Sequence, residues 1–216
     1  MESSIFNWDK RLPGYLTKEE KGRLRFALEQ FSKGKSGEKL EIDYSDFFLN
    51  NQPQFLLQGD LVHSVPFPFW NERSQNFETD QTLGILISNS CDVAQENTRL
   101  SAKHAVFAPI IPVFEYAKDL IEQGENAQKV DSIIVQLKQQ IFTNLIYVPH
   151  PDNTKEGFLA FLDKAFHVAP SVVKKLCDNL ESERYITLSN FGSYLFIVKL
   201  SFHFCRVPEE IERKSA

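Results

Sequence analysis

Hydrophobic residues first recur at helical spacing near the start of the chain, between Thr17 and Gly34. Four of them would lie on one side of a helix: Leu24, Ala27, Leu28 and Phe31. Thr17 and Glu20 have the spacing of a capping box, in which a hydroxyl and a carboxylate satisfy free amides of the first turn. The pattern therefore predicts a helix that begins after Thr17 and ends at Gly34.

Short apolar stretches further along the chain predict six β-strands, within residues 58–65, 83–88, 105–113, 144–148, 157–161 and 184–188. Pro66 and Pro68 are expected to close the first strand. Pro109 and Pro112 are expected to place the end of the third strand at a sheet edge or a bulge. Residues 66–81 lack periodicity and are polar in their second half, which predicts a mobile loop.

Helical spacing returns at residues 115–140, with a break at residues 124–126. We expect two helices there, of which the second is the longer, and a further short helix that Pro170 opens. Helices and strands in this order predict an α+β fold.

The stretch 191–205 fits a strand and a helix equally well by its periodicity. Ser189 and Asn190 are good helix caps, and Pro208 ends the run, so local signals favour a helix.

A chain of 216 residues predicts one domain, or one domain with appendages, and its composition is typical of a globular protein. The net charge of −5 at pH 7 argues against a general nucleic-acid binder, which needs basic residues to displace counterions from phosphates. Phenylalanine is unusually frequent, with 19 residues. A phenyl ring supplies packing area or partner surface and no titratable proton.

Six aromatic residues fall in segments without periodicity: Phe47, Phe48, Phe55, Phe67, Phe69 and Trp70. Such residues either pin the N-terminal region onto the rest of the protein or form a patch that binds a partner. We favour pinning, because an extension formed by residues 1–57 must pack somewhere.

We expect neither a membrane span nor a signal peptide, because the sequence has no apolar run long enough to span a membrane and its first residues include an acid and lack an apolar core. The cysteines Cys91, Cys177 and Cys205 are odd in number and widely spaced, as is typical of reduced thiols. These features predict a bacterial-type cytoplasmic protein without membrane contact.

Four pieces of the sequence stand in a distinctive order: Gly59-Asp60-Leu61-Val62, the apolar stretch 83–89 that ends in Ser-Asn, Ala108-Pro109-Ile110, and the stretch 184–205. Together they resemble the PemK/MazF family of bacterial toxins. The resemblance implies an SH3-like β-barrel over residues 58–207 with a helical insertion at 115–141 and a C-terminal helix. Residues 1–57 would be an N-terminal helical extension and residues 208–216 a tail.

The sequence departs from the family at the positions that cleave RNA. The RNA-cleaving members carry an arginine before the second strand and a threonine after Pro-Ile, where this chain has Gln81-Thr82 and Ile111. Glutamine and threonine offer neither the fixed charge nor the bidentate grip of arginine on a phosphate. The resemblance thus implies a non-catalytic binding or accessory module of a bacterial toxin–antitoxin or phage-defence system. Such a module would bind a protein partner, and it could form a homodimer.

An active endoribonuclease with relocated residues is the alternative interpretation, in which the partner is single-stranded RNA. Arg73 or Arg99 would then hold the phosphate, and His63 or His104 would act as the base. This chemistry needs no metal, and no Cys and His residues stand at short metal-ligand spacing, so neither a metal nor a cofactor is expected.

Cys91 is a weaker catalytic candidate. A thiol becomes nucleophilic when neighbouring groups favour its thiolate, and the adjacent Asp92 does the opposite. The plainer interpretation is a small buried thiol at the end of a strand, followed by a turn that Asp92 caps.

Overall fold

Seven strands form one antiparallel sheet within the part of the protein that our computed structural model describes, namely residue 14 and residues 16–33, 42–94, 105–152 and 155–204. Side chains are described for these residues except 27–33. The strands are β1 (Leu61–Asn71), β2 (Asn76–Leu86), β3 (Ala105–Pro112), β4 (Leu145–Val148), β5 (Phe158–Phe161), β6 (Phe166–Val168) and β7 (Arg184–Ile186).

The strand order across the sheet is β4-β5-β3-β2-β1-β7, and β6 pairs with the first half of β3. No described pairing joins β4 to β7, so the sheet is open. The helices are α1 (Lys18–Lys33), α2 (Ser90–Val93), α3 (Val113–Glu122), α4 (Ala127–Lys138), α5 (Pro170–Asp178), α6 (Leu180–Glu183) and α7 (Asn190–Phe204). The α+β class predicted from the sequence is confirmed.

The predicted helices are confirmed in position and order. In the capping box of α1, the Thr17 amide donates to the Glu20 carboxylate at 2.7 Å and the Glu20 amide to the Thr17 hydroxyl at 3.1 Å. Helix α4 is longer than α3, and the break between them contains Gly124 with a φ of 95°. The stretch with two competing periodicities forms α7.

The prediction of a mobile loop at residues 66–81 is wrong, because these residues form most of a long β1–β2 hairpin. Pro66 pairs with Gln81 and Pro68 with Thr79. A proline cannot donate to the ladder, so both prolines must turn their nitrogen away from β2, and the residues between them make the hydrogen bonds. The prolines therefore shape one edge of the hairpin and do not end the strand.

Pro109 was expected at a sheet edge or a bulge, and the first alternative is wrong, because Pro109 lies on an interior strand. On one side β3 pairs with β2, where Pro109 stands opposite Gly84. On the other side, β6 pairs with residues 105–107 and β5 with residues 110–112. Pro109 falls in the interval between the two partners, where its missing N–H leaves no ladder bond unmade.

The largest hydrophobic core joins the sheet to α7 and to the N-terminal region. Leu24 and Phe47 pack there with Leu61 of β1 and Phe191 of α7. Pinning by Phe47 is thereby confirmed, since this residue is 2% exposed. It is wrong for Phe55, Phe69 and Trp70, which are 61%, 36% and 45% exposed. No helix among the described residues is long and apolar enough to cross a membrane.

Candidate functional site

Gly59, the first residue of the Gly-Asp motif, has a backbone conformation that favours glycine. Its φ is 89°, and a Cβ atom at this position would lie 2.6 Å from Cδ1 of Leu188. Its amide donates to the carbonyl of Leu86 at 2.9 Å, so the turn is tied to the end of β2. The glycine thus allows the start of β1 to lie close to the segment that precedes α7.

Asp60, the second residue of the motif, forms a buried ion pair with Arg184. The Asp60 Oδ2 atom lies 3.0 Å from Nε of Arg184, and their side chains are 0% and 3% exposed. Arg184 also donates to the carbonyls of Pro53 and Phe55, while the Leu57 amide donates to Oδ2 of Asp60 at 2.9 Å.

This ion pair fixes three segments to one another: residues 53–57, the start of β1 and the start of β7. Burial raises the pKa of Asp60, while the Leu57 amide and the Arg184 charge act in the opposite direction. Because both side chains lie inside the protein and bind each other, the motif is a structural anchor and not a reactive site.

His63 lies at an irregular point of β1, where its ring contacts that of Tyr185. The register of β1 against β2 shifts between Val62 and Val65, and Ser64 has a φ of 56°, which marks a β-bulge. The His63 ring lies 5.4 Å from the ring of Tyr185, edge to face. Bulges of this kind frequently aim a side chain at a site.

Tyr185 links His63 to a second histidine. Its hydroxyl lies 3.4 Å from Nε2 of His150, and Phe158 packs on both of them, at 5.5 Å from the His150 ring and 5.7 Å from the Tyr185 ring. We call His63, His150, Phe158 and Tyr185 the histidine–tyrosine cluster. Burial raises the pKa of Tyr185, which keeps its phenol protonated at neutral pH.

The neighbouring turn contacts one nitrogen of the His150 ring. The Asp152 amide lies 2.9 Å and the Asp152 carbonyl 3.1 Å from Nδ1, while Nε2 faces Tyr185. Lys155 in the same turn has its ammonium 3.8 Å from the Asp152 carboxylate. Two imidazoles beside one phenol are groups that can carry out general acid–base catalysis.

The histidine–tyrosine cluster also brings together two ends of the open sheet. Tyr185 belongs to the end strand β7, and Phe158 belongs to β5, next to the opposite end. Since these rings lie 5.7 Å apart, the sheet curls until side chains bridge the gap that no described strand pairing closes.

The structure separates Arg73 from His63, two of the residues that the sequence suggested for RNA cleavage. Arg73 lies in the turn at the far end of the β1–β2 hairpin, where its amide donates to the Asn71 side chain at 2.9 Å. Extended chain from His63 to Asn71 covers about 25 Å at the rise of a β-strand. Arg73 and His63 therefore do not share a site. Arg99 and His104 lie outside the described residues.

Cys91 lies at the start of the short helix α2, and its thiol is not in a disulfide. The expectation of a buried thiol is wrong, because Cys91 is exposed. Asn89 caps the helix by accepting from the Cys91 amide at 3.0 Å, a role that the sequence pattern suggested for Asp92. The turn after the second strand is therefore a helix cap, with the following Val93 buried in the core.

The outer part of the β1–β2 hairpin, residues 65–71 and 76–82, pairs with no other described strand, and we call it the ribbon. Side chains alternate between its two faces. One face carries no charged residue: Pro66, Pro68, Trp70, Phe77, Thr79 and Gln81. The rings of Trp70 and Phe77 lie 5.2 Å apart on this uncharged face and are 45% and 71% exposed.

Lys199 of α7 is the most unusual buried side chain, at 2% exposure. Its ammonium donates to the carbonyl of Gln140, and the Gln140 amide donates to the carbonyl of Tyr147 at 2.6 Å and the hydroxyl of Tyr44 at 3.1 Å. Burial lowers the pKa of Lys199 to about 7. This network ties α7 to the end of α4 and to the segment around Tyr44, so it is structural in character.

His150, Tyr185 and Phe77 were missed as site residues by sequence reasoning, whereas Trp70 was among the aromatic residues considered for a partner-binding patch. His150 and Tyr185 lie 35 positions apart in the chain, and no local signal connects them. Among the described residues, no group of three His, Cys, Asp or Glu side chains could hold a metal ion. Comparisons of this chain with protein-family models, with curated proteins and with solved structures find no match.

Proposed function

We propose that this protein is a binding module that presents the ribbon to a partner protein. The observation that carries the proposal is the exposed Trp70–Phe77 pair on the uncharged face of the ribbon. Aromatic side chains are enriched in protein interfaces and in the few residues that contribute most of the binding energy. An exposed apolar surface of this kind is costly for a protein that has no use for it.

We place this module in a bacterial toxin–antitoxin or phage-defence system, on an SH3-like barrel of the PemK/MazF type without the ribonuclease residues. The order of Gly59-Asp60, the apolar β2, the Ala-Pro-Ile of β3 and the C-terminal α7 supports this assignment. The curl of the sheet across Tyr185 and Phe158 is consistent with a barrel.

Co-purification of tagged protein from its host, at native concentration, tests the proposal. We expect a stoichiometric partner that is retained by wild type and lost by the double variant Trp70→Ala/Phe77→Ala. Phe114→Ala is the matched control, because Phe114 is 59% exposed on α3, outside the ribbon. A clean monomer without a partner, or equal loss in both variants, would overturn the proposal.

A metal-independent endoribonuclease is the second candidate function, favoured by the histidine–tyrosine cluster. His63, exposed beside Tyr185, can take the proton of a ribose 2′-hydroxyl, while the Tyr185–His150 pair can supply a proton to the leaving oxygen. Lys155 is the cation nearest in sequence to His150 that could bind the phosphate.

Incubation of the purified protein with a mixed pool of single-stranded RNA in EDTA tests this candidate. We expect cleavage that His63→Ala and His150→Ala abolish, while His167→Ala, on the exposed part of β6, leaves it unchanged. Arg73→Ala should also leave it unchanged, because Arg73 lies at the far end of the ribbon. Absence of cleavage across the pool would exclude the ribonuclease.

A further inference from the structure

The two outer edges of the ribbon differ in their backbone hydrogen-bonding groups. On β1, Pro66 and Pro68 point their nitrogens outward and cannot donate to an added strand. The register then requires that the β2 residues paired with them, Gln81 and Thr79, also direct their N–H and C=O groups outward, as does Phe77. The β1 edge is thus blocked by prolines, and the β2 edge is not.

Two local hydrogen bonds agree with this direction of the β2 edge. The Phe77 amide donates to the side chain of Asn76 at 2.9 Å, and the Gln81 amide donates to the carboxylate of Asp80 at 2.8 Å. Both amides therefore point away from β1 and are covered by the side chain of the preceding residue. These side-chain oxygens are local acceptors, and the carbonyl groups of an added strand can replace them.

Glu78 and Asp80 give this edge its chemical preference. Both project from the face opposite the Trp70–Phe77 pair, in alternation with Phe77, Thr79 and Gln81. Hydrogen bonds from Ser74 at 2.7 Å and Asn71 at 2.9 Å lower the pKa of Glu78 and keep it ionised. A strand added here would meet two carboxylates on one face and, on the other, the uncharged face that carries the Trp70–Phe77 pair.

We infer that the β2 edge of the ribbon takes up an extended partner segment in which basic residues alternate with apolar ones, an inference that rests on the proposed binding function. The partner's basic side chains lie opposite Glu78 and Asp80, and its apolar side chains lie on the Trp70–Phe77 face. Main-chain hydrogen bonds to Phe77, Thr79 and Gln81 hold the segment in register.

A second copy of this chain is a poor occupant of the same edge. The antiparallel register that pairs all three outward residues places Thr79 opposite its own counterpart and Glu78 opposite Asp80 of the other copy. Like charges directly opposite each other destabilise a strand pair. The acidic residues therefore act against self-pairing and in favour of a basic segment.

Binding of a labelled synthetic peptide to the full chain, followed by fluorescence anisotropy, tests the inference. The probe is a short capped peptide of alternating valine and lysine, and its matched control carries glutamate in place of each lysine. We expect the lysine peptide to bind about tenfold or more tightly than the glutamate peptide, with a preference that weakens at high salt. Asp80→Lys should reduce the ratio of the two peptide affinities at least about threefold.

Thr79→Pro and Thr79→Ala separate strand addition from mere charge attraction. Proline at position 79 removes an amide that points outward, whereas alanine keeps it. Because Thr79 pairs with Pro68, whose nitrogen also points outward, a proline at position 79 removes no hydrogen bond between β1 and β2. We expect about tenfold weaker binding to Thr79→Pro and a change below about twofold for Thr79→Ala. A lysine peptide N-methylated at alternate residues provides the same test without any variant and should also bind about tenfold more weakly.

Equal binding of the lysine and glutamate peptides, equal binding to the two Thr79 variants, or no binding at about 1 mM peptide would overturn the inference. Its failure is distinguishable from failure of the proposed function. If the partner recovered by co-purification is lost by Trp70→Ala/Phe77→Ala but retained by Thr79→Pro, the ribbon binds through its face, and strand addition is excluded.

Discussion

The β1–β2 hairpin contains two regions that share the same strands and differ in their surroundings. At its base, Leu61, Val62, Ile85 and Leu86 are 0% exposed, with β7 on one side and β3 on the other. In the ribbon, neither strand pairs with any other described strand, and Phe77 is 71% exposed. On β1 both regions are rich in apolar residues, so on this strand the difference arises from what covers them, whereas β2 is polar in the ribbon and apolar at the base.

The bulge at His63 and Ser64 separates these regions and sets which side chains face which way. Val62 and Val65 both point into the core formed around Phe107, although they are three residues apart. In a regular strand, residues two apart share a face, so the extra residue changes the phase of the alternation. Without it, the side chains of the ribbon would occupy the opposite faces.

The largest expected effect comes from breaking the base of the hairpin. Arg184→Ala would leave the Asp60 carboxylate buried without its guanidinium and remove two donors to residues 53–55. We expect the free energy of unfolding, measured with urea, to fall by about 3–5 kcal/mol. Arg73→Ala in the exposed turn of the ribbon is the control and should change it by less than about 0.5 kcal/mol.

If Arg184→Ala lowers the free energy of unfolding by less than about 1 kcal/mol, this ion pair contributes no more than an exposed surface pair. The base of the hairpin would then not differ from the ribbon in its contribution to stability.

Buried charge should also make the body of the protein, and not the ribbon, sensitive to pH. The pKa of Lys199 falls from 10.5 to about 7 on folding, so in between the unfolded chain binds a proton that the folded protein does not. The free energy of unfolding should therefore rise with pH in this window, by up to about 1.4 kcal/mol per pH unit from this residue. Lys199→Met should remove that part of the slope.

Urea unfolding between about pH 7.5 and pH 9.5 measures both slopes, and equal slopes for wild type and Lys199→Met would show that Lys199 is charged in the folded protein. Glu78→Gln in the ribbon is the control. Its carboxylate is already ionised throughout this range, so the variant should retain the wild-type slope.

Gly59→Ala should destabilise the turn that leads into the base by about 1–3 kcal/mol. The cost has two sources, a φ of 89° and the contact of a Cβ atom with Leu188. Gly124→Ala isolates the first source, because Gly124 has a φ of 95° and a Cβ atom added there would meet no other atom within 4 Å. Equal thermal shifts for both variants would mean that the approach to Leu188 contributes nothing.

Sequence patterns were sufficient where periodicity and local chemistry agreed. The capping box of α1, the break at Gly124 and the caps of α7 follow from neighbouring residues, and all three helices are confirmed. The ribbon could not be predicted, because Pro66 and Pro68 are strong strand breakers unless both face an open edge. Which edge is open depends on strand order, and that is a property of the whole sheet.

The histidine–tyrosine cluster shows the same limit at the level of a site. His63 stands out in the sequence by its position on a predicted strand, but its ring neighbour Tyr185 comes from β7, and His150, which contacts Tyr185, comes from the turn after β4. These segments meet because the sheet curls, and the curl depends on packing across α7 and the core. Arg73 illustrates the reverse, since its closeness to His63 in the sequence is lost along the extended strand.

The smallest expected effect on stability is at the ribbon itself, and it completes the comparison. Phe77→Ala should change the free energy of unfolding by less than about 0.5 kcal/mol, because a ring that is 71% exposed gives up little burial on truncation. Phe107→Ala, at 0% exposure, should cost about 3–5 kcal/mol. Urea unfolding of both variants tests this. A large loss for Phe77→Ala would mean that the ribbon is part of the folded core, and the aromatic pair would then be explained by stability without a partner.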